Sequence, residues 1–202
     1  MPIDSSPAWK TIFRLVAFGL FYNVAEGLLC IAAGLAAGSV VLVGFGLDSG
    51  IEAAAGLAAW RFMRGRITEQ AEKKLSRLVG WTFLALALYV IVQSAHDLLK
   101  GEEVLPSALG LGVTALSLLI MPVLGFWKLR LARRVGSRGL AAEAKETIAC
   151  SYLSLFAVLG VAVRYAGGPS WVDPVAALLM VPWLVREGIE GIRGEEEGGE
   201  TL

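Results

Sequence analysis

Cysteine is scarce in this chain. Cys30 and Cys150 are the two present, both inside apolar stretches, so the disulfide framework of a small secreted domain is excluded and both read as thiols facing protein or lipid. Also missing are a nucleophile-and-base pair, a phosphate-cradling glycine loop and an HExxH helix, so enzymatic chemistry is not expected. Neither charge sign is in excess, for the formal net charge is +0. The basic residues fall between the apolar runs, which reports membrane topology and argues against nucleic-acid binding. The opening MPIDSSPAWK has no short apolar core followed by a small-residue cleavage site, so the first apolar run is expected to stay in the mature protein. No joint between apolar runs is long enough for a soluble domain.

Apolar residues are what the chain has in abundance. Of its 202 residues 56% are hydrophobic and the mean hydropathy is +0.66, too apolar for an ordinary soluble domain of this length. Six runs approach the roughly 20 residues needed to cross a bilayer: Ile12 to Leu35, Ser39 to Phe62, Leu78 to Leu99, Ser107 to Trp127, Thr147 to Ala166 and Trp171 to Ile192. The expected fold is therefore all-α, a polytopic membrane protein of six transmembrane helices. Residues 1–11 form an N-terminal segment, 12–192 the membrane domain, and 193–202 an acidic tail whose composition predicts disorder. Breaker-rich joints at Ala36 to Ser39 and Gly167 to Ser170 predict antiparallel hairpins of spans one with two and five with six.

Basic residues set the expected orientation. Lys10 and Arg14 flank the start of span one. Arg61, Arg64, Arg66, Lys73, Lys74 and Arg77 lie between spans two and three, and Lys128, Arg130, Arg133, Arg134, Arg138 and Lys145 between four and five. The positive-inside rule places these joints and both termini in the cytoplasm of a cell-membrane protein. The opposite side receives Lys100 and Arg164 beside Glu102 and Glu103.

Against this apolar background the acids stand out. Asp48 and Glu52 sit in the middle of span two, one helical turn apart on one face, so both carboxylates can converge on one cation. Glu146 and Cys150 repeat that spacing at the inner end of span five. Two helices each offering two such donors can close a four-ligand, roughly tetrahedral cage, the geometry zinc favours, while carboxylates also suit manganese and ferrous iron. Other roles are open: Glu146 fits an interfacial or capping acid, and Cys150 a small packing residue. In span one, Asn23 and Glu26 are placed to support the span-two carboxylates as a surrounding shell or to line a proton path. Gln93, His96 and Asp97, at the outer end of span three, read as an interfacial group. Glycines and alanines at four-residue spacing in spans one and two predict close helix packing.

Asn23-Val-Ala-Glu26-Gly27, then Gly34 and Ser39, then Gly46-Leu47-Asp48-Ser49-Gly50-Ile51-Glu52, resemble the first two spans of the cation diffusion facilitator, or cation efflux, family. Gly160 and Trp171-Val172-Asp173-Pro174 resemble its later spans. The resemblance implies export of a divalent metal, zinc foremost, in exchange for protons, by alternating access at a midplane site. Asp48 and Glu52 match the span-two ligands. Glu146 and Cys150 stand where the span-five pair belongs but depart from its usual histidine or aspartate types. The implied partners are metal, protons and the lipid bilayer, with no cofactor besides the transported metal. The resemblance also implies a short relative without the family's usual cytoplasmic metal-binding domain, in which any homodimer forms through spans or loops. The competing expectation is a non-transporting scaffold or sensor that keeps the fold.

Overall fold

The structure, a computed structural model, describes residues 7–63, 69–136 and 138–193. Among these are six helices: α1 Pro7–Ala37, α2 Val40–Met63, α3 Glu69–Lys100, α4 Ala108–Val135, α5 Arg138–Tyr165 and α6 Val172–Arg193. Five are long and apolar enough to cross a membrane, in the segments Lys10–Ala37, Val40–Arg61, Arg77–Lys100, Ala108–Val135 and Glu143–Tyr165. The sixth falls short of that mark, because Asp173, Arg186, Glu187, Glu190 and Arg193 interrupt it. The acidic tail, Arg64 and Arg66 lie outside the described residues.

The helices overrun the apolar segments. Pro7, suited by its fixed φ to a first helical position, opens α1 before the expected start at Ile12. Lys128, Arg130, Arg133 and Arg134, expected between spans four and five, belong to the last two turns of α4. Lys and Arg are good helix formers, so the helix persists past its apolar core. It stops at Gly136, whose φ of +68° suits a left-handed cap and whose N–H bonds back to Ala132 and Arg133.

Exposure is inverted relative to a soluble protein. Phe21, Leu28, Leu35, Leu88 and Leu119 face outward, whereas Asn23, Glu26, Asp48, Ser49, Glu52, Ser117, Ser154 and Asp173 are buried. Polar groups that avoid lipid must find partners inside the bundle. The helix at the centre is α2, with two-thirds of its apolar window buried and contacts to α1, α3, α5 and α6.

Glycines determine how closely the helices meet. A Cβ on Gly46 would stand 2.8 Å from the Ile31 nitrogen and 2.9 Å from the Gly27 carbonyl oxygen, so α1 and α2 touch backbone to backbone, as their small-residue spacing predicts. The same device joins α3 to α6, where a Cβ on Gly80 would meet the Gly188 carbonyl oxygen at 2.7 Å. The expected neighbours α5 and α6 do touch, but α6 lies most extensively against α3.

The connections between α1 and α2, α3 and α4, and α5 and α6 gather at one end of the bundle. Leu105 N–H donates to the Ala37 carbonyl at 2.8 Å, and Val104 N–H to Ser170 Oγ at 3.3 Å. Arg164 donates to the carbonyls of Val104 and Gly168. Asp173, in the first turn of α6, accepts the Ser39 hydroxyl at 2.5 Å and the Val41 N–H at 3.2 Å. That carboxylate satisfies donors at the start of α2 and suits its dipole. Asp173 is thus a cap acting between two helices that are far apart in sequence.

Candidate metal centre

Because α2 is enclosed, its two mid-helix acids have nowhere to go but into the bundle. Asp48 is 1% exposed and Glu52 9%. One oxygen of each and the sulfur of Cys150, on α5, all lie within 4.8 Å of one another. Cys150 Sγ is 3.7 Å from Asp48 Oδ2, with the thiol as donor. A tetrahedral zinc with ordinary bond lengths separates an oxygen from a sulfur ligand by about 3.6 Å. The observed spacing is close to that one.

Neighbouring side chains hold this group. Asn23 Nδ2, on α1, donates to Glu52 Oε2 at 2.8 Å. Glu26, expected beside Asn23 as support for the same carboxylates, turns instead to Ser49, whose hydroxyl donates to it at 2.9 Å. The two residues are three apart on α1, so they reach different partners on α2.

A small cavity of about 10 Å³ adjoins the donors, room for a single water-sized particle. Its walls are Asp48 and Glu52 of α2, Phe83 of α3, Glu146, Ala149, Cys150 and Leu153 of α5, and Trp183 and Glu187 of α6. Glu146 is half-buried on this wall, one turn from Cys150, but is not one of the three mutually close donors. Glu187 was not expected from the sequence. It follows Arg186 near the end of the last apolar run and so resembles the charged flank of a membrane helix. The signal that could have found it is a carboxylate one turn from Trp183 on the face that α6 turns inward. Trp183 in turn lies 5.9 Å from the Tyr152 ring of α5.

Two other charged groups lie beyond the three donors, the first close enough for its charge to act on Glu52. Lys128, expected as a cytoplasmic basic residue, is 2% exposed and pairs with Glu143 at 2.5 Å and Thr147 at 3.1 Å. Its burial follows from the length of α4, which carries it against α5 instead of into a loop. Near the C-terminal end of α3, Gln93 donates to Asp97 at 2.8 Å and His96 lies 3.3 Å from the same oxygen.

A carboxylate pair on one buried helix, facing a sulfur donor on another, within a bundle of apolar sides, is an arrangement that could hold a cation. Comparison with known families matches the cation efflux transmembrane domain to residues 16–193. The chain belongs to the cation efflux family. The cation efflux domain is a membrane-embedded transporter of metal cations, not an enzyme. Comparison with curated proteins returned no significant match. The matched segment contains every donor described above, and α6 with Asp173 and Glu187 as well.

Proposed function

We propose that this cation efflux protein exports a divalent transition metal, zinc before manganese or iron, from the cytoplasm in exchange for protons. The observation that carries the reading is the convergence of Asp48, Glu52 and Cys150 within 4.8 Å, on the two helices of the bundle least able to offer them to solvent. Sulfur draws the preference toward zinc, and the two carboxylates alone would suit harder ions. Glu146 and Glu187, on the wall of the adjoining cavity, supply a further carboxylate ligand or receive the ion from the cytoplasm. Asn23 keeps Glu52 oriented as a ligand.

The exchange follows from competition for the same atoms. Carboxylate oxygens and a thiol bind either protons or a metal, and a metal needs them bare. A proton supply on the outer side therefore loosens the ion there. In this reading all six helices cross the bilayer, α6 included. Its 22 residues run about 33 Å, and it lies along α3 from the Asp173 cap to the Gly80 contact. The basic joints and both termini face the cytoplasm.

Reconstituted vesicles test this directly. An imposed proton gradient should drive zinc across the membrane with the wild-type protein, and Asp48→Ala or Glu52→Ala should abolish both flux and calorimetric zinc binding while the protein stays folded in detergent. Zinc binding at wild-type affinity in both variants would sink the site. Binding without flux for any divalent metal would favour a sensor or scaffold that keeps the family fold.

A further inference from the structure

The start of α1 and the end of α4 meet at the end of the bundle opposite the three gathered connections, on a surface that the metal centre does not use. Ile12 and Val16 of α1 share one buried cluster there with Ala132 of α4 and Leu140 of α5. Further in, a Cβ on Gly19 would stand 2.9 Å from Lys128 Nζ and 3.3 Å from a Leu124 methyl. These contacts set the register of two antiparallel helices, with Arg14 level with Arg130 to Arg134 and Phe18 level with Trp127. Lys10, Arg14 and Phe18 follow one another at four-residue spacing on α1, all exposed. From the end of α4 inward, Arg134, Arg130 and Trp127 are exposed as well. Among the described residues none of these four cations is ion-paired. Neither helix carries an acid in these turns, and Glu143 of α5 is taken by Lys128.

The order of chemistry along the two helices is that of a phospholipid. Cations stand at the rim, aromatic rings about one turn deeper, with Phe18 51% and Trp127 61% exposed, and aliphatic side chains beyond them at Val123 and Leu119. Guanidinium groups grip phosphate oxygens by paired hydrogen bonds, and aromatic rings favour the depth at which headgroup gives way to acyl chain. A bias of positive charge toward one end explains cations at this end, but not their alignment with rings on two adjoining helices. The exposed Lys74 and Arg77 of α3 differ, because α3 lies against α6, whose last turns carry Glu187 and Glu190.

We propose that the α1–α4 seam binds an anionic phospholipid, its phosphate held by Arg14, Arg130 and Arg134 and the upper part of its chains lying against Phe18 and Trp127. Charge complementarity selects the occupant: the seam offers unpaired cations and no acid, so an anionic headgroup gains where a zwitterionic one, which brings its own ammonium, gains less. A soluble acidic partner would leave the two rings unused, since they lie inside the apolar band. The topology proposed above puts this lipid in the cytoplasmic leaflet. The proposal is independent of the metal-site reading.

Lipid brominated on its acyl chains quenches a tryptophan that it touches, so Trp127 is a reporter already in place. The full chain is reconstituted in vesicles of phosphatidylglycerol and phosphatidylcholine in equal parts, with bromine on one lipid or the other, and the Trp127 signal is taken as the difference between wild type and Trp127→Phe. Quenching of that signal should show a preference of roughly tenfold for phosphatidylglycerol. Arg14→Gln combined with Arg134→Gln should bring the preference close to parity, the two Arg→Lys changes should keep most of it, and Arg77→Gln on α3 should leave it unchanged. Should the double variant fail to reconstitute, Arg130→Gln alone should lower the preference severalfold; an unchanged preference there overturns the proposal. Equal quenching by the two lipids in wild type, as when a second copy covers the seam, overturns it as well. So does an equal loss in Arg77→Gln, which would make the preference a property of the whole rim. Inorganic phosphate added to the vesicles should not alter the preference; its abolition would reveal a free-anion site in place of a lipid site and would also overturn the proposal.

Discussion

At the scale of single residues, the sulfur of Cys150 matters most, because it separates this centre from an all-oxygen one. It stands 3.7 Å from Asp48, the spacing two zinc ligands adopt. Cys150→Ser keeps the volume and removes the soft donor. Calorimetry with zinc and manganese should show the zinc preference falling by roughly tenfold, chiefly through loss of zinc affinity. An unchanged ratio would mean that Cys150 packs and does not ligate. Asp48 and Glu52 are legible as residues because a charge in an apolar run is conspicuous. Glu187 and Lys128 are not, since each lies at the edge of its run and looks like an ordinary interfacial charge.

Between elements, backbone contact at glycine holds the bundle together. In a membrane, helices gain little from exchanging lipid for each other, so close van der Waals approach carries the association. Gly46 and Gly50, on the same helix, make opposite predictions. A side chain at Gly46 collides with α1 backbone, whereas a Cβ on Gly50 meets nothing within 4 Å. Gly46→Leu should lower stability by about 1–3 kcal/mol or more in detergent unfolding. Gly50→Ala should be neutral or raise it by up to about 1 kcal/mol, because alanine is the better helix former. Equal effects would show that the α1–α2 seam does not depend on glycine. The hairpin turns were readable from Gly38 and Gly167, whose φ values of +67° and +81° demand that residue type. The α3–α6 pairing was not, because Gly80 and Gly188 lie far apart in the chain and nothing local announces that they meet.

For the molecule as a whole, the charges at the two ends of the bundle define a direction. Glu103, in the α3–α4 connection, and Arg134, in the last turn of α4, are both exposed. Cys30 and Cys150 are buried, so cysteines introduced at those positions are the accessible thiols. Glu103→Cys should react with a membrane-impermeant maleimide on intact cells, and Arg134→Cys only after permeabilisation. The reverse pattern would invert the proposed topology, and with it the direction of export.

Composition and hydropathy by themselves determine that the chain is a helical membrane protein and that Asp48 and Glu52 are anomalous in it. Both follow from solvation, which acts on each residue where it stands and so leaves a mark in the local sequence. The tertiary structure alone decided which anomalies meet. It gave Glu52 to Asn23 and Glu26 to Ser49, set Cys150 beside Asp48, turned Glu187 toward the cavity and closed Lys128 on Glu143. These pairings depend on which apolar helix lies against which, and helices of like hydropathy carry no linear signal of their partners. Shape, written in glycines and helix lengths, makes that choice.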